Sequence, residues 1–543
     1  MSSGDGMPTG ARDVDVVSAP RRRDDIVIRG ISLALAGAVV LYALLNRADA
    51  ASVIGTFRTW ITEHFTWYFV VLATLSLVFC IVLAAGRSGT IVLGGSRAKR
   101  EYGNFAWYSM LFGCGQGIGL IFWSVAEPML VRDDNPLAGF VGVTANDGAL
   151  IWTYFHWSLH AWAIYCVVAL CLAISFHNGS GKMTFRDAVV GVFPPRSRRT
   201  MGILVEFIAI LATVFGLSTS FAFAAMQFSS GLATTFGSEN SALVRTIVIV
   251  AFGLVAAASV YIGVDKGMKR ISEANSVLSI VLVVGVLVFG PTLYILSVVP
   301  QSIGQYLFHA GWMGMWTDAE FSSAPLLNWA DSWSGSWTVF IWCWCWAFSP
   351  FVGSFIARIS KGRTVREFVI GVLAVPSLIC VVWIGIVGGA ALRYDEVSGG
   401  AVSGAVVQDT SLGLFAMLQQ VPIGAVGWIL LLVATILVAT YFITSLDSGV
   451  HALSEFVSSA SRPSRLFRVA LVAAIGLIAL LLLSIGGETV VGTVQTGTIL
   501  GALPYTIVVL VMMVATVQRV RILKNDPSQI RQPVQKAAVD EVA

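Results

Sequence analysis

An all-α polytopic membrane protein is the fold class that this chain predicts, on three observations. Of its 543 residues 56% are hydrophobic and only 12% charged, a composition whose main solvent is lipid. Apolar stretches of about 20 residues, the length that crosses a bilayer, recur along it. Each must satisfy its own backbone polar groups in lipid and so forms a helix. Basic residues, finally, gather on alternate loops.

Twelve spans are expected, near 26–46, 67–86, 105–126, 149–176, 202–235, 245–263, 274–299, 336–357, 367–391, 421–446, 468–486 and 496–517. Residues 1–25, rich in Gly, Asp and Arg, form a disordered lead. The first span follows Arg21, Arg22 and Arg23 and precedes Ala48-Asp49-Ala50; its length marks an uncleaved anchor rather than a signal peptide. It and the second span make a unit over 26–104. Spans three to seven occupy 105–299 and spans eight to twelve 336–517, with a short tail at 518–543. The third span holds four glycines in Gly113-Cys114-Gly115-Gln116-Gly117-Ile118-Gly119, and Ser349-Pro350 interrupts the eighth. Breaks five spans apart point to inverted repeats whose unwound backbone serves a central site; close helix packing is the other reading of the glycines. Between the halves, 300–335 carries Phe308, Trp312, Met315 and Trp316, which fit an amphipathic interfacial helix or an aromatic belt equally well.

Allotting the 34 Lys and Arg to loops puts 29 on one side and Arg47, Arg58, Arg132, Arg245 and Arg393 on the other, so both termini are expected in the cytoplasm of a plasma-membrane protein. The net charge of +4 is this asymmetry and does not point to nucleic acid. Juxtamembrane Arg519, Arg521 and Lys524 can meet anionic lipid. All seven cysteines fall in apolar spans, which fits packing and offers no disulfide framework.

Two segments carry the chemistry, F-H-W-S-L-H-A-W-A-I-Y at 155–165 and W-T-V-F-I-W-C-W-C-W-A-F-S-P-F at 337–351. Buried aromatic faces without a neighbouring carboxylate suit a methylated ammonium, a cation with no hydrogen to donate. On a continuous helix Trp157, Tyr165 and Trp162 fall at about 0°, 80° and 140°, one broad face. Core or interfacial packing explains such rings equally well. His156 and His160 lack the intervening glutamate and third ligand of a zinc site and read as packing residues. Glu206, within the fifth span, reads as a proton site or, better, as a residue near the cytoplasmic edge. No convergent nucleophile, base or metal cluster is evident, so an enzyme is disfavoured.

These segments, with S-P-F-V-G-S-F-I-A-R-I-S-K-G-R-T-V-R-E-F at 349–368, F-I-T-S-L-D-S at 442–448 and G-Q-G-I-G-L-I-F-W-S-V-A-E-P at 115–128, closely resemble the betaine/choline/carnitine transporter family over the whole membrane region. The resemblance implies a twelve-helix, LeuT-like fold of two inverted five-helix repeats, a homotrimer, and alternating-access import of a betaine, choline, carnitine, ectoine or sulfonium analogue. By position it implies an aromatic box of Trp157, Trp162 and Tyr165, outer-pathway rings Trp342 and Phe351, and backbone of Gly115, Gln116 and Gly117 for the solute's carboxylate near Ser220. Cys345 stands where betaine carriers complete the box with tryptophan. Gly119, in place of the aspartate of proton-coupled relatives, favours Na⁺ as coupling ion, held by Gly113, Gln116, Tyr441, Thr444 and Ser445. A second sodium site retains Thr213 beside Phe351 but has Leu217 for its other hydroxyl, which leaves a sodium-independent exchanger of carnitine type as the alternative. Arg358 and Asp447 are expected to pair as an inner gate or to anchor at the interface.

Overall fold

The computed structural model describes residues 26–531 apart from 29, 32–33, 35–36, 39–41, 43–44, 116, 264, 320–331, 457–463 and 486–489. The disordered lead expected from sequence and residues 532–543 of the tail therefore lie outside the described residues. Between 26 and 45 the described residues are helical. The helices that follow are α1 (Arg47–Ala85), α2 (Asn104–Gly115), α3 (Gly117–Val131), α4 (Ala145–Trp157), α5 (Leu159–Ser175), α6 (Phe185–Val189), α7 (Arg198–Phe236), α8 (Ala242–Ile262) and α9 (Asp265–Phe289). They continue as α10 (Thr292–Met313), α11 (Phe340–Ile359), α12 (Val365–Ser398), α13 (Ala401–Gln408), α14 (Gly413–Gln419), α15 (Gly424–Phe456), α16 (Arg465–Ile485) and α17 (Val490–Leu523). Ten helical stretches among the described residues are long and apolar enough to cross a membrane. The chain is thus an all-α membrane protein.

Burial sorts the helices into layers. The apolar window of the stretch around α11 is 94% buried and that around α4 and α5 is 89% buried, whereas the windows of α8 and α9 are 28% and 22% buried. α5 and α11, which pack against each other, are the axis of the molecule, and α8 and α9 show aliphatic faces such as Leu254, Ile280 and Val284 to lipid.

Three breaks differ from the sequence expectation. The fourth span is two helices: Ser158 takes φ −108° and ψ −120° between α4 and α5, and its hydroxyl donates to the Tyr154 carbonyl at 2.6 Å. Trp157 and Trp162 therefore do not share one continuous helical face. The seventh span ends early, at Gly290-Pro291, and α10 starts at once, so the connection between the halves is helical from Thr292 and exposes Leu293, Leu307 and Phe308. Proline there lacks the N–H that would continue α9. Ser349-Pro350 does not interrupt the eighth span, because α11 runs through it. Pro350 leaves the Trp346 carbonyl without its helical donor, and the Ser349 hydroxyl supplies one at 2.8 Å.

At the end of the bundle carrying Arg100 and Arg358, three loops are sewn together. The loop at Val92-Leu93 pairs with Gly362–Thr364 around an isolated Val92–Thr364 bridge, with Gly362 N donating to Leu93 O at 2.8 Å and Leu93 N to Arg363 O at 2.9 Å. The segment after α17 adds a third chain: Val92 N donates to Gln529 O at 2.8 Å, Ser96 N to Ser528 O at 2.7 Å, and Arg531 N to Thr90 O at 3.0 Å. The Arg363 guanidinium lies 3.8 Å over the Trp107 ring, a contact that needs no carboxylate.

At the opposite end Asp318, after α10, is fully buried, adopts φ 59° and accepts the Ser334 N–H at 2.6 Å. Burial raises its carboxyl from the usual 3.8 to about 6. A carboxyl raised by folding stabilises the folded state fully below 3.8, and this contribution is lost as pH rises through about 6. Asparagine tolerates the same left-handed backbone. Asp318→Asn is therefore expected to gain on the wild type as pH rises from 4 to 7, by at most about 3 kcal/mol. Melting temperatures of both proteins across that range measure this, and a difference that shrinks with pH contradicts the assignment.

Candidate functional site

The Gly117–Gly119 turn, the Ser158 break and the middle of α11 meet at a cavity of about 30 Å³. Trp157, Tyr165, Trp344 and Phe348 supply its rings, Gly117, Ile118 and Gly119 its floor, and Ser220, Cys345 and Ser445 its polar or polarisable wall. None of these ten residues is charged. Glycine is required at the floor: a Cβ on Gly119 would stand 2.8 Å from Trp157 Cζ3 and 3.2 Å from Trp344 Cη2, and one on Gly117 2.6 Å from the Tyr441 ring. The Trp157 and Trp344 rings meet edge to face at 6.0 Å.

The predicted residues divide around this cavity. Trp157, Tyr165, Gly117, Ser220, Cys345 and Ser445 line it together. Trp162 is buried behind Tyr165, ring to ring at 5.4 Å, beside Cys380. Trp342 stacks on His160 at 5.4 Å, and Phe351 packs behind Phe348 at 5.2 Å. Gly113 and Gly115 lie in the last turn of α2, while Gln116 falls outside the described residues. Sequence reasoning did not place Trp344 or Phe348 among the site residues. A helical period counted along α11 from Cys345 places Phe348 on the same face and was the available signal. Cys345 lines the cavity together with Tyr165.

Ser220 is engaged: its Oγ accepts the Trp344 indole N–H at 3.2 Å and donates to Gly216 O at 3.1 Å. To donate to a carboxylate it must release that carbonyl. The Thr444 hydroxyl donates within its own helix, to Thr440 O and Tyr441 O at 3.0 Å, and accepts from Asn275 Nδ2 at 3.5 Å, while the Tyr441 hydroxyl meets Ser279 at 3.0 Å. Thr213 donates to Ala209 O at 2.7 Å. Leu217 packs against Gly449. Ser218 and Thr219 point away, to Ile475 O and Thr498, so neither replaces the hydroxyl that Leu217 lacks.

Two expectations are corrected. Arg358 pairs with Glu455, and Asp447 accepts from Ser259 at 2.8 Å, so the expected Arg358–Asp447 gate pair is not formed. Glu455 lies eight residues beyond Asp447 along α15, which carries it about two turns further, level with Arg358. The aromatic face also has a carboxylate behind it. Glu127, fully buried on α3, accepts the Trp157 indole N–H at 2.6 Å and bonds His156 Nδ1 at 2.5 Å, while His156 Nε2 meets Thr338 at 2.9 Å. A lone acid inside an apolar span is a functional flag in itself, and Ala126-Glu127-Pro128 showed it. Glu206, also fully buried, accepts Arg186 N at 2.9 Å and holds the short helix α6.

Comparison with known proteins finds similarity along most of the chain. The profile described as BCCT, betaine/carnitine/choline family transporter, matches residues 27–525. The chain is similar to a glycine betaine transporter of Acinetobacter baylyi, 35% identical over 86% of this chain and 68% of that one. It is 36% identical to glycine betaine transporter 1 of Vibrio parahaemolyticus, over 90% and 92% of the two chains. It is 32% identical to the high-affinity choline transport protein of Escherichia coli, over 88% and 70%.

Proposed function

The chain belongs to the betaine/carnitine/choline transporter family, and from that premise we propose that it imports a small quaternary-ammonium or related zwitterionic solute by alternating access, coupled to Na⁺. It is a transporter and not an enzyme. The observation that carries the solute class is the cavity itself, four aromatic rings around uncharged walls over a glycine floor. Rings attract an onium that cannot donate hydrogen bonds, at about 2 kcal/mol for each desolvated contact, and the backbone at Gly117 faces the same space for an anionic end. The cavity lies where α3, α4, α5, α7, α11 and α15 converge. Opening and closing around a central site is what alternating access needs. The proposal extends to twelve spans in two inverted five-helix repeats, a homotrimer, and both termini in the cytoplasm.

Sodium enters as co-substrate. Ser445, in the cavity wall, and Thr444 beside it on α15 are hard oxygen donors suited to it. A sodium-independent exchanger is the second reading, favoured by one observation: the Leu217 side chain lies against Gly449 where a second sodium site would need oxygen.

Tryptophan-fluorescence titration of the purified protein with glycine betaine, choline, carnitine, ectoine and dimethylsulfoniopropionate, with and without sodium, tests both readings. Binding and uptake that persist in lithium chloride decide for exchange. Trp344→Leu is expected to weaken onium binding roughly 30-fold, the worth of one ring contact. Unchanged affinity in a folded Trp344→Leu protein excludes this cavity as the solute site.

A further inference from the structure

Trp157 faces the cavity with its ring and turns its N–H to the far side, where Glu127 waits. Among the described residues the carboxylate has two partners, Trp157 Nε1 at 2.6 Å and His156 Nδ1 at 2.5 Å. Nδ1 of His156 faces Glu127 and Nε2 faces the Thr338 hydroxyl at 2.9 Å, contacts that a ring donating from Nδ1 and accepting at Nε2 satisfies. Glu127, His156 and Thr338 come from α3, α4 and the turn entering α11, and each is buried. A carboxylate inside a membrane protein is costly to bury even when hydrogen-bonded. Holding an indole in place does not need a charge, since an amide oxygen accepts the same N–H.

What the carboxylate adds is negative potential delivered through the ring. An indole whose N–H donates to an anion is polarised, and electron density moves toward the π-face that looks into the cavity. The acid itself stays one ring away, so an onium is attracted without meeting a competing salt bridge. The same field repels the carboxylate end of a zwitterion toward the Gly117 backbone, which fixes the direction in which the solute lies.

We propose that Glu127 is a positioning and specificity-determining residue, which through its bond to the Trp157 indole orients that ring and makes the cavity prefer a cationic head to an uncharged head of the same shape. This rests on the onium reading above.

The test compares each onium with its carbon isostere: glycine betaine against 3,3-dimethylbutanoate, and choline against 3,3-dimethylbutanol. Kd is read by fluorescence for the wild type, Glu127→Gln, Glu127→Asp, Trp157→Phe and the Glu127→Gln/Trp157→Phe double variant. Glu127→Gln keeps an acceptor and loses the charge, and is expected to lower the onium-to-isostere preference roughly tenfold, the effect of one charge at about 8 Å in a partly screened medium. The affinity of 3,3-dimethylbutanol, which carries no charge, should stay within about twofold on the same argument. Glu127→Asp, which keeps the charge, should retain most of the preference. Trp157→Phe should lose it to a similar extent, with the double variant adding nothing further. Equal loss for onium and isostere, or additive losses in the double variant, overturns the proposal. If Glu127→Gln does not fold, Trp157→Phe alone decides: an undiminished preference there overturns it as well. A wild type that binds neither onium overturns the functional reading and this inference together, whereas binding with an unchanged preference in Glu127→Gln overturns only the inference.

Discussion

Gly119→Ala is expected to abolish onium binding and uptake while leaving a folded protein. The new methyl would lie 2.8 and 2.9 Å from two atoms of the Trp157 ring and 3.2 Å from Trp344. Neither indole can retreat freely. Trp157 is tied to Glu127 at 2.6 Å and Trp344 to Ser220 at 3.2 Å, so both anchors act on the side opposite the intruding atom. The rings must give up those bonds or lean into a cavity of about 30 Å³, and either change removes the space in which a methylated head is gripped. Overpacking of this kind costs roughly 1–3 kcal/mol of stability, which a large helical bundle tolerates. Loss of binding should exceed about a hundredfold, close to 3 kcal/mol. Fluorescence titration gives the affinity and thermal unfolding the fold; wild-type affinity in Gly119→Ala would show that the solute sits elsewhere.

The largest effect on stability is expected at Gly362. Its φ of +76° is left-handed, and a Cβ there would stand 2.4 Å from the Lys99 carbonyl carbon and oxygen and 2.6 Å from Arg100 N. All three atoms are backbone, so no side chain can rotate out of the way. The same glycine donates its N–H to Leu93 O, and displacing it breaks the seam between two loops. Gly362→Ala should therefore cost about 3–5 kcal/mol, the range of the severe single substitutions. Gly399 is the internal control, because its φ of +69° is similar but nothing lies within 4 Å of its Cβ position. Gly399→Ala should cost only the left-handed backbone term, about 1–2 kcal/mol. Equal melting temperatures for the two variants would refute the collision argument.

The sequence made the class of fold plain, because lipid leaves helices as the economical solution for apolar stretches and because composition and basic loops speak directly of lipid. It was weaker wherever one residue decides the path. Ser158 gives no warning of ending a helix, and its hydroxyl bond to Tyr154 is visible only in three dimensions. Pro350 warned of a break that Ser349 repairs. The same holds for the site. Trp157 and Tyr165 were found as aromatic positions of a resembling family, yet Trp344 and Phe348 became walls only once the turn of α11 was known. Glu127 was read as part of a fingerprint, and its bond to an indole 30 residues away is a tertiary fact. Arg358 took the partner whose height along α15 matched its own, which sequence spacing on a separate helix does not reveal.

The stitching of residues 528–531 to the loop at 90–96 has a practical side for anyone handling this protein. A reporter or purification handle joined at residue 525, where α17 has just ended, would cut away three backbone hydrogen bonds and the Arg531 contact with Glu367. Grafted beyond residue 531, the same cargo leaves that hem closed.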